Sequence, residues 1–190
     1  MIIVGTGCGP GMITEAAIAV LREATLVYGS ERAIGLVRAH IPDGCDLRTI
    51  TDYRKLRELP DYAVVLSTGD PMLAGLGYLP GRVVPGISSL QVAFARLRLP
   101  LTRAAVVAAH GRDHTHAIEE AGREVNRGKI VFLIADPAFS LQELGRALPP
   151  ATKVAVCEDL GYPEERIALG TAGHLPDVRA GLFVVVAGDF

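Results

Sequence analysis

The feature that most constrains this chain is "YAVVLST", Tyr62 to Thr68, a continuous and β-branched run set among shorter apolar segments. A strand with one wet face alternates apolar and polar residues. An unbroken one is covered on both faces, as strands of parallel sheets are. "MIIV" at 1–4, "TLVYG" at 25–29, "CDLRTI" at 45–50 and "GRVVPG" at 81–86 read as its neighbours. Helical patterns fall between them. Thr14 is placed to cap a helix over Glu15 to Ala24, where Ala16, Ala17, Val20, Leu21 and Ala24 recur at helical spacing. Ser30 caps a second helix running to about His40, a short helix follows Thr51, and another runs from Ser88 to about Leu97. This alternation predicts a mainly parallel sheet with right-handed crossovers.

"LRLPLTR", Leu97 to Arg103, breaks the pattern and marks the expected boundary between a domain over residues 1–102 and one over 103–190. Beyond it "AAVVAAH", "KIVFLIA", "TKVAVCE", "RIALGT" and "GLFVVVAG" read as five strands. Two long helical patterns lie among them, about Thr115–Asn126 and Ser140–Leu148, the second opening with the capping box Ser140–Glu143. The closing strands leave no room for crossover helices, so this half should form a mixed sheet. The expected fold is α/β in two domains, with a cleft between them.

Composition excludes several functions. Half of the chain is apolar (49% of 190 residues), which is ample for buried cores. A net charge of -2 argues against nucleic-acid binding, which needs a basic face. No apolar run approaches a membrane span, and the N-terminal run is too short for a signal peptide. Cys8, Cys45 and Cys157 are odd in number and far apart, the usage of a reduced, cytoplasmic protein.

Three glycine-bearing loops follow predicted strands. "VGTGCGPGMIT", Val4 to Thr14, carries glycine at 5, 7, 9 and 11. Glycine weakens regular structure, so this density marks unusual backbone angles or bare main chain for a ligand to lie against. A dinucleotide fingerprint needs its third glycine at 10 or 12, where Pro10 and Met12 stand, and this disfavours an NAD-binding protein. "STGDPMLAG", Ser67 to Gly75, is the second loop; Asp70 as N-cap and Pro71 as first helical residue also suit a plain helix start. "VPGISSLQ", Val84 to Gln91, is the third, with Ser88 able to cap the helix that follows. Strand carboxyl ends are where parallel α/β sheets build ligand sites.

In this order, G-x-G-x-G, then G-D-P, then P-G-x-S-S, the chain resembles the tetrapyrrole methylases, two-domain S-adenosylmethionine enzymes of cobalamin and sirohaem synthesis. The resemblance spans essentially the whole chain. "HGRD" at 110–113 and "LIADP" at 133–137 are most similar to members that methylate carbon 5 of cobalt-precorrin-7. It implies Gly7, Cys8, Gly9, Thr68, Gly69, Asp70, Leu73, Ser88, Ser89, Ala135, Leu160 and Gly161 as contacts to S-adenosylmethionine, with S-adenosylhomocysteine as product. Many members carry proline where Cys8 stands. Asp70 is the candidate catalytic residue, by orienting the cofactor or acting on charge near its sulfonium. Family practice implies a homodimer. The chain ends at Phe190, so the decarboxylating C15-methyltransferase, fused to some members, is expected as a separate polypeptide.

The implied substrate carries several carboxylates, which arginine matches with two parallel hydrogen bonds. Arg112 is the first choice and His110 the second; Arg82 and Arg103 decorate the surface. His110, His114 and His116 cluster within "HGRDHTH", but nothing completes a metal shell, and a solvated helix start is the expectation. The rival readings are methylation of another ring position or of uroporphyrinogen III, and a non-catalytic corrinoid-binding module.

Overall fold

Two α/β units make up the computed structural model, which describes residues 1–109 and 113–190: Met1–Ser89 and Leu90–Phe190. In the first, β1 (Ile2–Gly5), β2 (Leu26–Gly29), β3 (Asp46–Thr49), β4 (Val64–Ser67) and β5 (Arg82–Val84) form a parallel sheet. Their order over the described residues is β3-β2-β4-β1-β5. Helices α1 (Glu15–Arg22), α2 (Glu31–Val37) and α3 (Pro71–Ala74) start where the sequence supplies a cap. Thr14, Ser30 and Asp70 each accept a backbone N–H of the first turn, from Ala17, Ala33 and Met72 respectively.

The two sides of this sheet bury different elements. Val4, Val27, Val64, Leu66 and Val84 pack on Ala17 and Leu21 of α1 and Ala33 and Val37 of α2. Ile3 and Val65, one residue out of phase, pack on Leu56, Leu76 and Leu79. Alternation along each strand therefore fills both faces, which is why the runs read as continuously apolar. Each large side chain so buried contributes about 1.5–3 kcal/mol.

Some elements are shorter than their sequence patterns. The strand expected over 62–68 is confined to Val64–Ser67, because Pro60 and Ala63 close a turn through Ala63 N–H to Pro60 O at 2.9 Å. The helix begun at Ser30 ends at Val37 and tightens into a 3-10 turn over Arg38–His40. After Thr51 the chain forms a 3-10 helix, Tyr53–Glu58, capped by Asp52.

The second unit holds α4 (Ser89–Leu97, whose first residue closes the first unit), β6 (Ala104–Ala108), α5 (His114–Asn126), β7 (Ile130–Ile134) and α6 (Leu141–Ala147). Strands β8 (Lys153–Glu158), β9 (Arg166–Thr171) and β10 (Phe183–Gly188) follow. The order over the described residues is β6-β7-β10-β8-β9. Strands β6 and β7 are parallel and the remaining pairs antiparallel, so the sheet is mixed, as expected from the missing crossovers. Val107, Leu133, Val156 and Val185 share one core with Ala117 and Ala121 of α5 and Leu144 of α6. On the other face Phe94 of α4 meets Phe132 edge to face, ring centres 6.4 Å apart.

Candidate functional site

The crossovers of the first unit part at its centre. From β1 the chain leaves past β4 toward β2 with α1 on one face; from β4 it leaves past β1 toward β5, burying Leu76 and Leu79 on the other. Adjacent strands whose connections depart in opposite directions open a crevice at their carboxyl ends, where α/β sheets bind ligands.

Main chain lines that crevice. Thr6 N–H donates to Ser67 O at 2.9 Å, extending the ladder beyond β1, and its buried hydroxyl lies 3.3 Å from the same oxygen. Gly7 and Gly69 then form an isolated antiparallel bridge, Gly69 N–H to Gly7 O at 2.8 Å and Gly7 N–H to Gly69 O at 3.3 Å. Both have positive φ, 81° and 70°, which glycine adopts without a side-chain penalty. The third loop is drawn in by Asp70. One carboxylate oxygen accepts Met72 N–H at 2.8 Å, capping α3, and the other accepts Gly86 N–H at 3.0 Å. Thr14, besides capping α1, donates its hydroxyl to Pro85 O at 3.4 Å.

Gly7, Thr68–Asp70 and the Gly86–Ser88 segment are thus brought together; Ser88 is buried, its Cα 3.9 Å from where a side chain on Gly69 would begin. Cys8 is buried beside Met12, sulfur to sulfur 3.6 Å. Leu73 lies within α3 and Ser89 opens α4.

In the second unit, β6, β7 and β8 run in one direction, so their carboxyl ends share one edge of the sheet. Ala135 follows β7 there, and Leu160 and Gly161 follow β8. The His114 ring nitrogen Nε2 stands 3.1 Å from Asp136 Oδ2, and the imidazole meets Phe139 edge to face at 5.5 Å. Asp136 also accepts Ala138 N–H at 2.9 Å, so one carboxylate ties the start of α5 to the turn after β7. His116 instead lines an open cavity of about 360 Å³ with Val106, Ala108, Asp113 and Glu120. His110 and Arg112 lie outside the described residues.

Two carboxylates, Glu158 buried and Glu165 half-buried, escaped the sequence reading. Glu158 accepts the N–H groups of Arg179 and Ala180 and pairs with Arg166. Burial opposes its ionisation, but these donors outweigh that and hold its carboxyl below the usual range. Glu165 accepts Arg96 Nε at 2.6 Å and Gly161 N–H at 2.7 Å. Burial again works against the charge and the Arg96 and Gly161 donors prevail, leaving its carboxyl low. The signal for Glu158 was a carboxylate closing the strand "TKVAVCE" directly behind four apolar residues. The Cys157 thiol is pushed up to about 12, first by burial and then by the charges of Glu165 and Glu158.

Strand ends that meet through bare main chain, with Thr6 and Ser88 buried beside them, have the form in which α/β folds hold a small ligand. The chain belongs to the tetrapyrrole (corrin/porphyrin) methylases, whose family model matches residues 1–176, and it is accordingly a methyltransferase. It is 29% identical over 185 residues to a probable cobalt-precorrin-7 C(5)-methyltransferase of Methanocaldococcus jannaschii, covering 86% of each protein. To the decarboxylating precorrin-6Y C(5,15)-methyltransferase of Mycobacterium tuberculosis it is 28% identical over 201 residues, 90% of this chain but 46% of that protein. The chain therefore spans about half of that relative. Among solved structures, the precorrin-6Y methylase of Archaeoglobus fulgidus superposes with a TM-score of 0.77 at 29% identity, covering 99% of this chain and 97% of its own.

Proposed function

We propose that this chain transfers the methyl group of S-adenosylmethionine to carbon 5 of cobalt-precorrin-7. The observation that carries the reading is the Gly7–Gly69 crossing at the β1/β4 crevice, joined by Asp70 to the third loop. A side chain at Gly7 would meet Met12 main chain at 2.5 Å, so the crossing requires bare main chain at that position. Main chain crowded at strand carboxyl ends suits a zwitterionic amino-acid end and a sulfonium, which need hydrogen bonds and carbonyl dipoles rather than a metal. The relative from Methanocaldococcus jannaschii, matched along most of both chains, supports the ring position.

When bound, S-adenosylmethionine supplies an electrophilic methyl group that passes to the ring carbon as the carbon–sulfur bond breaks. The residues of this chain orient that line of three atoms. Gly7, Cys8, Gly9, Thr68, Gly69, Leu73, Ser88 and Ser89 hold the donor. Ala135, Leu160 and Gly161 contact its adenine end. Asp70 acts through the loops it joins, since both of its oxygens are engaged by backbone N–H groups. Holding the reacting atoms in line contributes about 7–11 kcal/mol in well-oriented systems. His110 and Arg112 are assigned to the substrate carboxylates, as the sequence suggests. A homodimer and a separate decarboxylating C15-methyltransferase complete the proposal.

The test is incubation with ¹³C-methyl donor and a panel of precorrins, with the label located by NMR. Label at carbon 5 of cobalt-precorrin-7 supports the reading; label at another position, or on uroporphyrinogen III, replaces it. Corrinoid binding without any transfer marks a binding module.

A further inference from the structure

We propose that Glu165, anchored by Arg96, is a positioning residue for the methyl donor: its carboxylate fixes the turn after β8 in the shape that receives the adenine. The inference rests on the functional reading above, which gives Leu160 and Gly161 that contact.

Strands β8 and β9 pair antiparallel from Glu158↔Arg166 onward, a connection that two residues can make. The chain instead spends residues 159–165 there, and folds them expensively. Asp159 sits at φ 46° and Gly161 at φ 83°, two left-handed residues in three. For a non-glycine residue that conformation costs about 1–2 kcal/mol, and it persists only where its surroundings over-determine it.

The surroundings here are specific. Asp159 N–H donates to Leu182 O at 3.0 Å, and Tyr162 N–H returns to Asp159 O at 2.9 Å. The Glu165 N–H closes a second turn on Tyr162 O at 3.0 Å. These bonds shape the loop but leave the Gly161 amide to a side chain, and Glu165 Oε2 takes it at 2.7 Å. The other carboxylate oxygen receives Arg96 Nε at 2.6 Å, from the last turn of α4, so the carboxylate cannot swing away without breaking an ion pair. Its side chain is 20% exposed, which strengthens both bonds over their value in water. A strained turn pinned at both oxygens of one carboxylate, at the edge shared with the Ala135 turn, has the form of a preorganised binding element rather than of a connector.

Calorimetry of the full chain with S-adenosylhomocysteine tests this. Glu165→Ala is expected to weaken binding about tenfold, the worth of one charge-assisted hydrogen bond. Glu165→Gln keeps an oxygen for Gly161 and should recover most of that loss; Arg96→Gln, which frees the carboxylate without removing it, should cost about threefold. In turnover, KM for the methyl donor rises while kcat and KM for the tetrapyrrole stay put, a split that a merely destabilised fold does not produce. Should Glu165→Ala not fold, the Gln pair carries the same test. Binding by Arg96→Gln and Glu165→Ala equal to wild type, or equal rises in both KM values, overturns the proposal. If the wild type itself ignores S-adenosylhomocysteine, the functional reading fails first and takes this one with it.

Discussion

Replacing Gly5 with alanine sets a methyl group 2.5 Å from Gly86 N, 2.7 Å from Gly86 Cα and 2.8 Å from Gly69 O. All three are main-chain atoms, so no side chain can rotate out of the way. Ordinary contact begins at 3.4 Å, and the loop after β5 must therefore retreat by about 0.9 Å. That retreat stretches the 3.0 Å bond from Gly86 N–H to Asp70 Oδ2 and presses on the Gly69 peptide that bridges Gly7. Overpacking of this kind costs about 1–3 kcal/mol. For a chain of this size each kcal/mol lowers the melting temperature by about 2–4 °C. Misplacement near 1 Å in a positioning site costs on the order of a hundredfold in rate, so kcat/KM should fall further than stability accounts for. Differential scanning fluorimetry, calorimetry with S-adenosylhomocysteine and single-turnover methyl transfer report the three quantities. Wild-type affinity and melting in Gly5→Ala would refute the idea that the main-chain crossing shapes the site. Gly35→Ala is the matched control: it lies exposed within α2 with nothing within 4 Å of the added methyl. It should stabilise the chain by about 0.5–1 kcal/mol and leave binding alone.

Asp70→Asn leaves one oxygen and an NH₂ group to face two N–H donors, so either Met72 or Gly86 loses its acceptor; cofactor affinity should fall about tenfold by calorimetry, with tetrapyrrole affinity little changed. Glu158→Gln probes pH. The folded carboxyl titrates below its unfolded value of about 4.3, so its stabilisation is complete above that pH and drains away as pH falls through the folded value. The variant should melt several degrees below wild type at pH 7, the gap closing as pH drops below about 4; a constant gap would remove the assignment. Cys157, buried and raised to about 12, should resist iodoacetamide at pH 8 in the native protein and react only once unfolded, as mass spectrometry of the labelled peptides would show.

What could be read in the sequence was local. Thr14, Ser30, Asp70 and Ser140 each bond an N–H two or three residues on, and such caps announce themselves by residue type and spacing. The parallel sheet was legible because burial on both faces writes an unbroken apolar run, as at Val64–Leu66. The glycine loops marked the ends of predicted strands, but not that Gly7 and Gly69 bond each other, since about sixty residues separate them and no pattern encodes the pairing. Arg96 and Glu165 lie as far apart, and singly each looks like an ordinary surface charge. His114 read as a solvated helix start, yet it faces Asp136, 22 residues on, because β6 and β7 run side by side and deliver both to one edge.

The place of β10 has a consequence for how the protein is made. This late segment does not lie at a margin: it runs between β7 and β8 and bonds both. A ribosome releases the first unit whole, with all its neighbours in hand, and that unit can close early. The second must wait with two half-sheets ajar until residues 183–188 emerge to seam them. Until then its apolar ribbons stand open to other chains, which makes β10 the guardian of solubility for just over half of the described chain.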